Sequence, residues 1–261
     1  MSAAFLRVDF IDDISYPLSL ALKQVGVLAP VFIYFFVGEL VGDNPAVGGD
    51  YFTFATLGLS ISTMLQAALN SFGGRLQRAQ NRGTFETLLV EPISWNFLPF
   101  AMVQWRIIIG VFSGTLVFLF GLVLGMEIKL SGIPGFLLLV FLGVLASMAV
   151  GVAAASLMVL AKRSQPVLGL YGLVASVLAG ALFSVDQLPP FLQTLSLAIP
   201  HTYVINGARA LLMEDPGTFV VPFKTAVIAL TVFNIVVFSV GLWLFHRALQ
   251  YARKMGLLSG Y

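Results

Sequence analysis

Side chains able to make directed polar contacts are scarce in this 261-residue sequence, so their spacing carries information. Thr53, Thr56, Ser60, Thr63 and Asn70 follow one another at helical steps, with Gln66 beside the row. In an apolar bundle such hydroxyls and amides either hydrogen-bond between helices or line a polar path for a solute, and both roles fit this row. Arg106, next to Gln104 and Trp105 and downstream of Trp95, lies at the start of an apolar run. It either reaches back to the headgroups or lines a cytoplasmic entrance that attracts an anionic lipid or substrate.

Other chemistries lack their parts. The count of cysteines is 0, which removes disulfides, thiolate metal sites and a cysteine nucleophile. The 2 histidines, His201 and His246, are too few for a metal cage, so neither metal ligands nor catalytic residues are expected. No Gly-Lys pair occurs, so the chain has no phosphate loop and binds no ATP by that device. No Asp or Glu falls deep in an apolar run, which argues against ion coupling and against an intramembrane lipid-modifying enzyme. A passive channel or scaffold would need no partner.

The elements that hold these residues follow from composition. With 59% hydrophobic and 10% charged residues, the chain is far less charged than a soluble domain and reads as a helical membrane protein. Apolar runs near 23–41, 51–72, 103–126, 136–160, 166–185 and 221–245 are long enough to cross a ~30 Å hydrocarbon core, giving six spans in one transmembrane domain over 1–261. With an inside N-terminus, the inner face holds Arg7, Lys23, Arg75, Arg78, Arg82, Lys162, Arg163, Arg247, Arg253 and Lys254; the outer face holds only Lys129, Arg209 and Lys224. The expected form is thus a multi-pass protein of the plasma (inner) membrane with both termini cytoplasmic. In residues 1–17 Ala3, Leu6, Phe10, Ile11 and Ile14 share a face that Asp9 and Asp12 oppose, with Phe5 and Val8 interrupting the polar side, which predicts an interfacial amphipathic helix turned into the membrane near Pro17. In the third span Gly110, Gly114, Gly121 and Gly125 form two GxxxG pairs, read as close packing within the subunit.

Two connections are informative. After Arg75, Arg78 and Arg82, Gly83 breaks a helix, Thr84 can cap the next, and Glu86 sits near its positive end. Phe85, Leu88 and Leu89 then share a face before Pro92 stops the helix, leaving an apolar face that either meets a partner or folds back. Residues 186–217 hold two apolar pieces too short to cross, separated by Pro200, and predict an outward-side re-entrant helical hairpin between spans five and six.

The segment Gly83 to Ser94, GTFETLLVEPIS, resembles the hallmark of the ABC-2 permease family, with Arg82 where the family commonly has an acid and Phe85 where it often has Leu. Phe183, Leu188, Pro189, Leu192, Pro200, Thr202, Tyr203 and Arg209 resemble the family's outer hairpin, with Asn206 where a Glu is frequent. The resemblance implies that residues 75–92 form a cytoplasmic coupling segment. There Gly83, Thr84, Phe85, Glu86, Leu88, Leu89 and Pro92 would dock into a separate ATPase subunit. It further implies two copies of this chain with two ATPase copies that bind ATP and Mg, and outward transport of a hydrophobic or amphipathic drug, antibiotic or lipid. Export of a lipid-linked polysaccharide is the alternative cargo. Membrane lipids are expected as neighbours and nucleic acid is not expected as a partner.

Overall fold

The computed structural model describes residues 2–44, 49–81, 98–161 and 165–254. It is helical almost throughout, and its elements follow from where the apolar runs are broken. Helix α1 (Ser2–Ile14) ends at Ser15 and Tyr16, and Pro17 opens α2 (Pro17–Val41), because a proline in the first turn leaves no intrahelical donor unpaired. The pair β1 (Asp43–Asn44) and β2 (Gly49–Asp50) closes the connection to α3 (Tyr51–Asn81) as a short antiparallel ladder. Then come α4 (Leu98–Val123), α5 (Ile133–Ala161), α6 (Gln165–Leu178), α7 (Pro190–Ser196), α8 (Pro200–Leu212) and α9 (Phe223–Lys254). Among the described residues, five helical segments are long and apolar enough to cross a membrane: Pro17–Val41, Tyr51–Ala79, Met102–Val123, Leu130–Ser156 and Phe223–Tyr251.

The stretch 166–185, expected as one span, is helical only as far as Leu178. The break has a clear cause. Gly180 takes φ +74°, the Gly180 N–H donates to Val177 O and the Ala181 N–H to Ser176 O, which is the paired-bond pattern that ends a helix at a left-handed glycine. Read by hydropathy alone, Ala179-Gly180-Ala181 continues the apolar run. At 14 residues, α6 rises about 21 Å.

Helix α3 is the axis of the bundle. Phe54, Leu57, Ile61, Leu65, Leu69, Phe72 and Leu76 are all buried along it, and it packs on α2, α4, α5, α6 and α8. It runs past the apolar stretch that ends at Phe72, because Gly73 and Gly74 do not break it, and so carries Arg75 and Arg78 on its last turns. By contrast α2 buries only Val31 fully among its described residues, and α9 turns Ile228, Val232, Ile235 and Val236 outward, as lipid-facing surfaces do. Apolar contact gains little over lipid tails, so the helices are fitted by small residues and hydrogen bonds instead. A Cβ on Gly110 would collide with Ala67, and one on Gly114 with Met64 and Ser60 O, which brings the α4 backbone against α3. Gly125, the last glycine of the same series, differs from these two: it lies beyond the helix with φ +103° and open space at its Cβ position.

Helix α1 docks by its acidic side. Asp9 pairs with Arg75, Asp13 accepts a 2.7 Å hydrogen bond from Trp105 Nε1, and Phe10 meets the Trp105 ring edge-on at 5.1 Å. Val8, Ile11 and Ile14 remain exposed, so the apolar face points away from the bundle.

Candidate functional site

The polar row of α3 divides into two environments. Toward the β1–β2 end it is sealed. Thr53 Oγ1 accepts a weak 3.4 Å hydrogen bond from the Glu127 N–H. Thr56 is fully buried with its methyl 2.7 Å from where a Gly121 Cβ would stand, and its hydroxyl has no partner among the described residues. Ser60 donates to Gly114 O at 2.9 Å. Ser60 thus bonds helix to helix and Thr53 helix to loop, and neither Thr56 nor Ser60 is among the residues that line the cavity at the other end. Gln66 turns to another neighbour: its Nε2 donates to Gly172 O at 2.6 Å and Ser176 Oγ at 3.1 Å, pinning α6 to α3.

Toward the other end a space opens between α2, α3 and α4, although Gly110 still meets Ala67. A cavity of about 530 Å³ is lined by Thr63, Asn70, Ser71, Gly74, Gln77 and Arg78 of α3, Arg106 and Ser113 of α4, and Val27 of α2, with Ala67, Ile109 and Gly110 completing its walls. Of Thr56, Ser60, Thr63, Gln66, Asn70 and Arg106 as candidates for a polar path, Thr63, Asn70 and Arg106 meet there. Thr63, Ser71 and Ser113 each donate their hydroxyl hydrogen to a carbonyl of their own helix, Leu59, Ala68 and Ile109. Their oxygens are left as acceptors. Arg106 is half-buried, and its Nε–H is buried with no acceptor among the described residues. Among the described residues that line it there is no carboxylate.

Ser71, Gly74, Gln77 and Ser113 were not among the residues the sequence singled out, and Arg78 was read only as an inner-face charge. Gly74, Gln77 and Arg78 continue the helical steps past Asn70, a signal available only if α3 is carried beyond its apolar stretch.

A second constellation holds the connection between α6 and α9. Arg209, expected among the outer charges, is instead 1% exposed and lies in the core. Its Nη1 donates to Gly180 O at 2.7 Å, and its Nη2 to Ala181 O at 2.8 Å and Phe54 O at 3.0 Å; the guanidinium carbon stands 3.3 Å from the Phe54 ring centroid. The carbonyls at the C-terminal end of α6 supply negative potential, and Gly58 has no Cβ to block Ala181 O. Asn206 Nδ2 adds a 3.1 Å bond to Ala179 O. Within the same connection Pro189 precedes α7, Pro200 opens α8, Thr202 donates to Ser196 O at 2.6 Å and Tyr203 OH to Leu197 O at 2.8 Å. At the turn before α7, burial alone would raise the Asp186 carboxyl. Hydrogen bonds from the Ser184 and Thr218 hydroxyls and from backbone N–H groups outweigh that and hold it below the usual carboxylate range.

His201 is fully buried against Tyr171, and His246 is exposed near the end of α9. Among the described residues no three His, Asp or Glu side chains gather as metal ligands would. The segment with Gly83, Thr84, Phe85, Glu86, Leu88, Leu89 and Pro92 lies outside the described residues.

A family model for the ABC-2 type transporter matches residues 19–213, a stretch that takes in α3, the cavity and the Arg209 clamp. The chain belongs to the ABC-2 type transporter family. It is also similar to the inner membrane transport permease YhhJ of Escherichia coli (strain K12) and to YhhJ of Shigella flexneri, at 30% identity over 184 residues in each case. Those residues are 67% of this chain and 46% of each relative, so the chain spans about half the length of these curated relatives. In this ABC-2 chain the matched region thus contains both a polar, cationic cavity and a buried clamp.

Proposed function

We propose that the chain is the membrane-spanning permease subunit of an ATP-binding cassette exporter of the inner membrane. It moves a hydrophobic or amphipathic compound outward while a separate ATPase subunit hydrolyses ATP with Mg. The observation that carries this reading is the cavity between α2, α3 and α4: a space lined by hydroxyl, amide and guanidinium groups between three helices, at the end of α3 that carries Arg75 and Arg78. Because Lys and Arg favour the cytoplasmic side, that end is cytoplasmic and both termini are too. The energy source lies in a partner, since the sequence has no phosphate loop.

In this reading the Gly83 to Pro92 segment, a few residues past Arg78 in the sequence, is the coupling helix. Thr84 caps it and Phe85, Leu88 and Leu89 present its apolar face to the ATPase. Two copies of the chain work with two ATPase copies. The bundle has six spans, the fifth containing α6, and α7 with α8 forms an outward re-entrant hairpin. At 7 and 13 residues, these two helices rise only about 10 and 20 Å, short of a ~30 Å hydrocarbon core.

The test is co-purification of the full chain with the ATPase encoded beside it, followed by vanadate-sensitive hydrolysis in proteoliposomes. Phe85→Asp is expected to abolish association and transport-linked hydrolysis while leaving the chain in the membrane. Failure of the unaltered chain to bind any ATPase would end this reading.

A further inference from the structure

We propose that the cavity between α2, α3 and α4 binds the phosphate-bearing, anionic headgroup of a membrane glycerolipid, with Arg106 holding the phosphate. The cavity stretches from Thr63 to Arg78, about 22 Å along α3, and so reaches from mid-helix to the end that the charge bias puts in the cytoplasm. Arg106 brings a planar guanidinium, the donor geometry that fits a phosphate two-fold. Arg78, which has an interaction of its own, also lines the space.

The hydroxyls make the ligand more specific. Thr63, Ser71 and Ser113 have committed their hydrogens to their own helices, so they offer acceptors only. Asn70 Nδ2 donates one of its two hydrogens to Gln66 O, and its Oδ1 adds a further acceptor. A headgroup with hydroxyl donors beside its phosphate, such as glycerol, satisfies them; a choline head has no such donor. Val27, Ala67, Ile109 and Gly110 give the space apolar walls, and at about 530 Å³ it is much larger than a bare phosphate ion. Helix α2, which supplies the Val27 wall, exposes Leu22, Val25 and Phe32 on its own surface, so the site stands one helix away from the lipid-facing side.

The site rests on the cytoplasmic orientation proposed above. Lipid retention is read on this chain alone, so its failure and the failure of ATPase coupling appear in different measurements. The full-length chain, purified in detergent, is titrated with phosphatidylglycerol or phosphatidylcholine of identical acyl chains, and bound lipid is counted by native mass spectrometry. A parallel series adds millimolar inorganic phosphate or glycerol phosphate. The chain is expected to retain phosphatidylglycerol in preference to phosphatidylcholine, and soluble phosphate is expected not to displace it.

Arg106→Gln should weaken phosphatidylglycerol retention about tenfold, the loss of a charge-assisted hydrogen bond. Arg106→Lys, keeping the charge without the fork, should weaken it less. Asn70→Leu, which fills the space without removing charge, is the second variant and should also lower retention. Arg247→Gln, on α9 beside Trp243, should leave it unchanged. Melting curves and gel filtration establish that each variant is folded. Equal retention of the two lipids, wild-type retention by a folded Arg106→Gln or Asn70→Leu, or displacement by soluble phosphate would each overturn the proposal.

Discussion

Along α3 one set of residue types does two kinds of work, and the difference lies in what faces it. From Thr53 to Ser60 the opposing helix presents Gly114 and Gly121, whose missing side chains let the α4 backbone approach until the hydroxyls are enclosed. From Thr63 to Arg78 Gly110 still holds α4 against Ala67, but on the side toward α2 the helices part, and Arg106, Ile109 and Ser113 border a cavity of about 530 Å³. A threonine is interhelical glue in the first region and a wall in the second. Its role is set by the separation of the helices and not by its own chemistry. The sealed end is also the anchored end, because Arg209 reaches Phe54 O there and ties the start of α3 to the end of α6.

The contrast can be broken most severely at that anchor. Arg209→Leu would leave the carbonyls of Phe54, Gly180 and Ala181 buried without their donor. The expected loss is about 3–5 kcal/mol, read as a fall of roughly 6–20 °C in the detergent melting midpoint. A melting point within a degree of the unaltered protein would show that the clamp contributes nothing. Next in size is a labelling difference, for which the natural absence of cysteine provides a clean background. Asn70→Cys and Thr63→Cys, both partly exposed on the cavity, should react with a water-soluble maleimide about a hundredfold faster than Thr56→Cys and Ser60→Cys, which need local opening to be reached. Equal rates would abolish the distinction between the two regions. The smallest effect sharpens the seam: Gly114→Leu places a side chain against Met64 and Ser60 O and should cost about 1–3 kcal/mol by the same melting assay.

Much of the bundle was legible because its signals are local. Helix-length apolar runs, Pro17 as a helix start, and the Gly and Pro of the connections need no knowledge of neighbours. The polar row on α3 was visible for the same reason, as were the acids of α1. Which way those acids turn was not. An amphipathic stripe separates Asp9 and Asp13 from Ile11 and Ile14, but only the positions of Arg75 and Trp105 decide that the acidic side is the docking side. Hydropathy extended the fifth run through Val185 because Gly180 is apolar by that measure; its left-handed conformation, stabilised by bonds to Ser176 O and Val177 O, ends the helix. The charge count places Arg209 on the outer face, within the second piece of the re-entrant hairpin, and says nothing of its burial. Three carbonyls and a phenyl ring, brought together from α3 and the end of α6, instead replace water around it.

The sequence by itself determined that the chain is a helical membrane protein, that it has no phosphate loop and no cysteine chemistry, and that its polar side chains on α3 share one face. These follow from composition and from a period of 3.6, which each residue obeys independently of distant ones. Only the tertiary structure decided which of those polar groups are enclosed and which line a cavity, and that Arg209 is a clamp. Both depend on distances between helices far apart in the chain, and such distances are fixed by small residues and carbonyls whose partners no local pattern names.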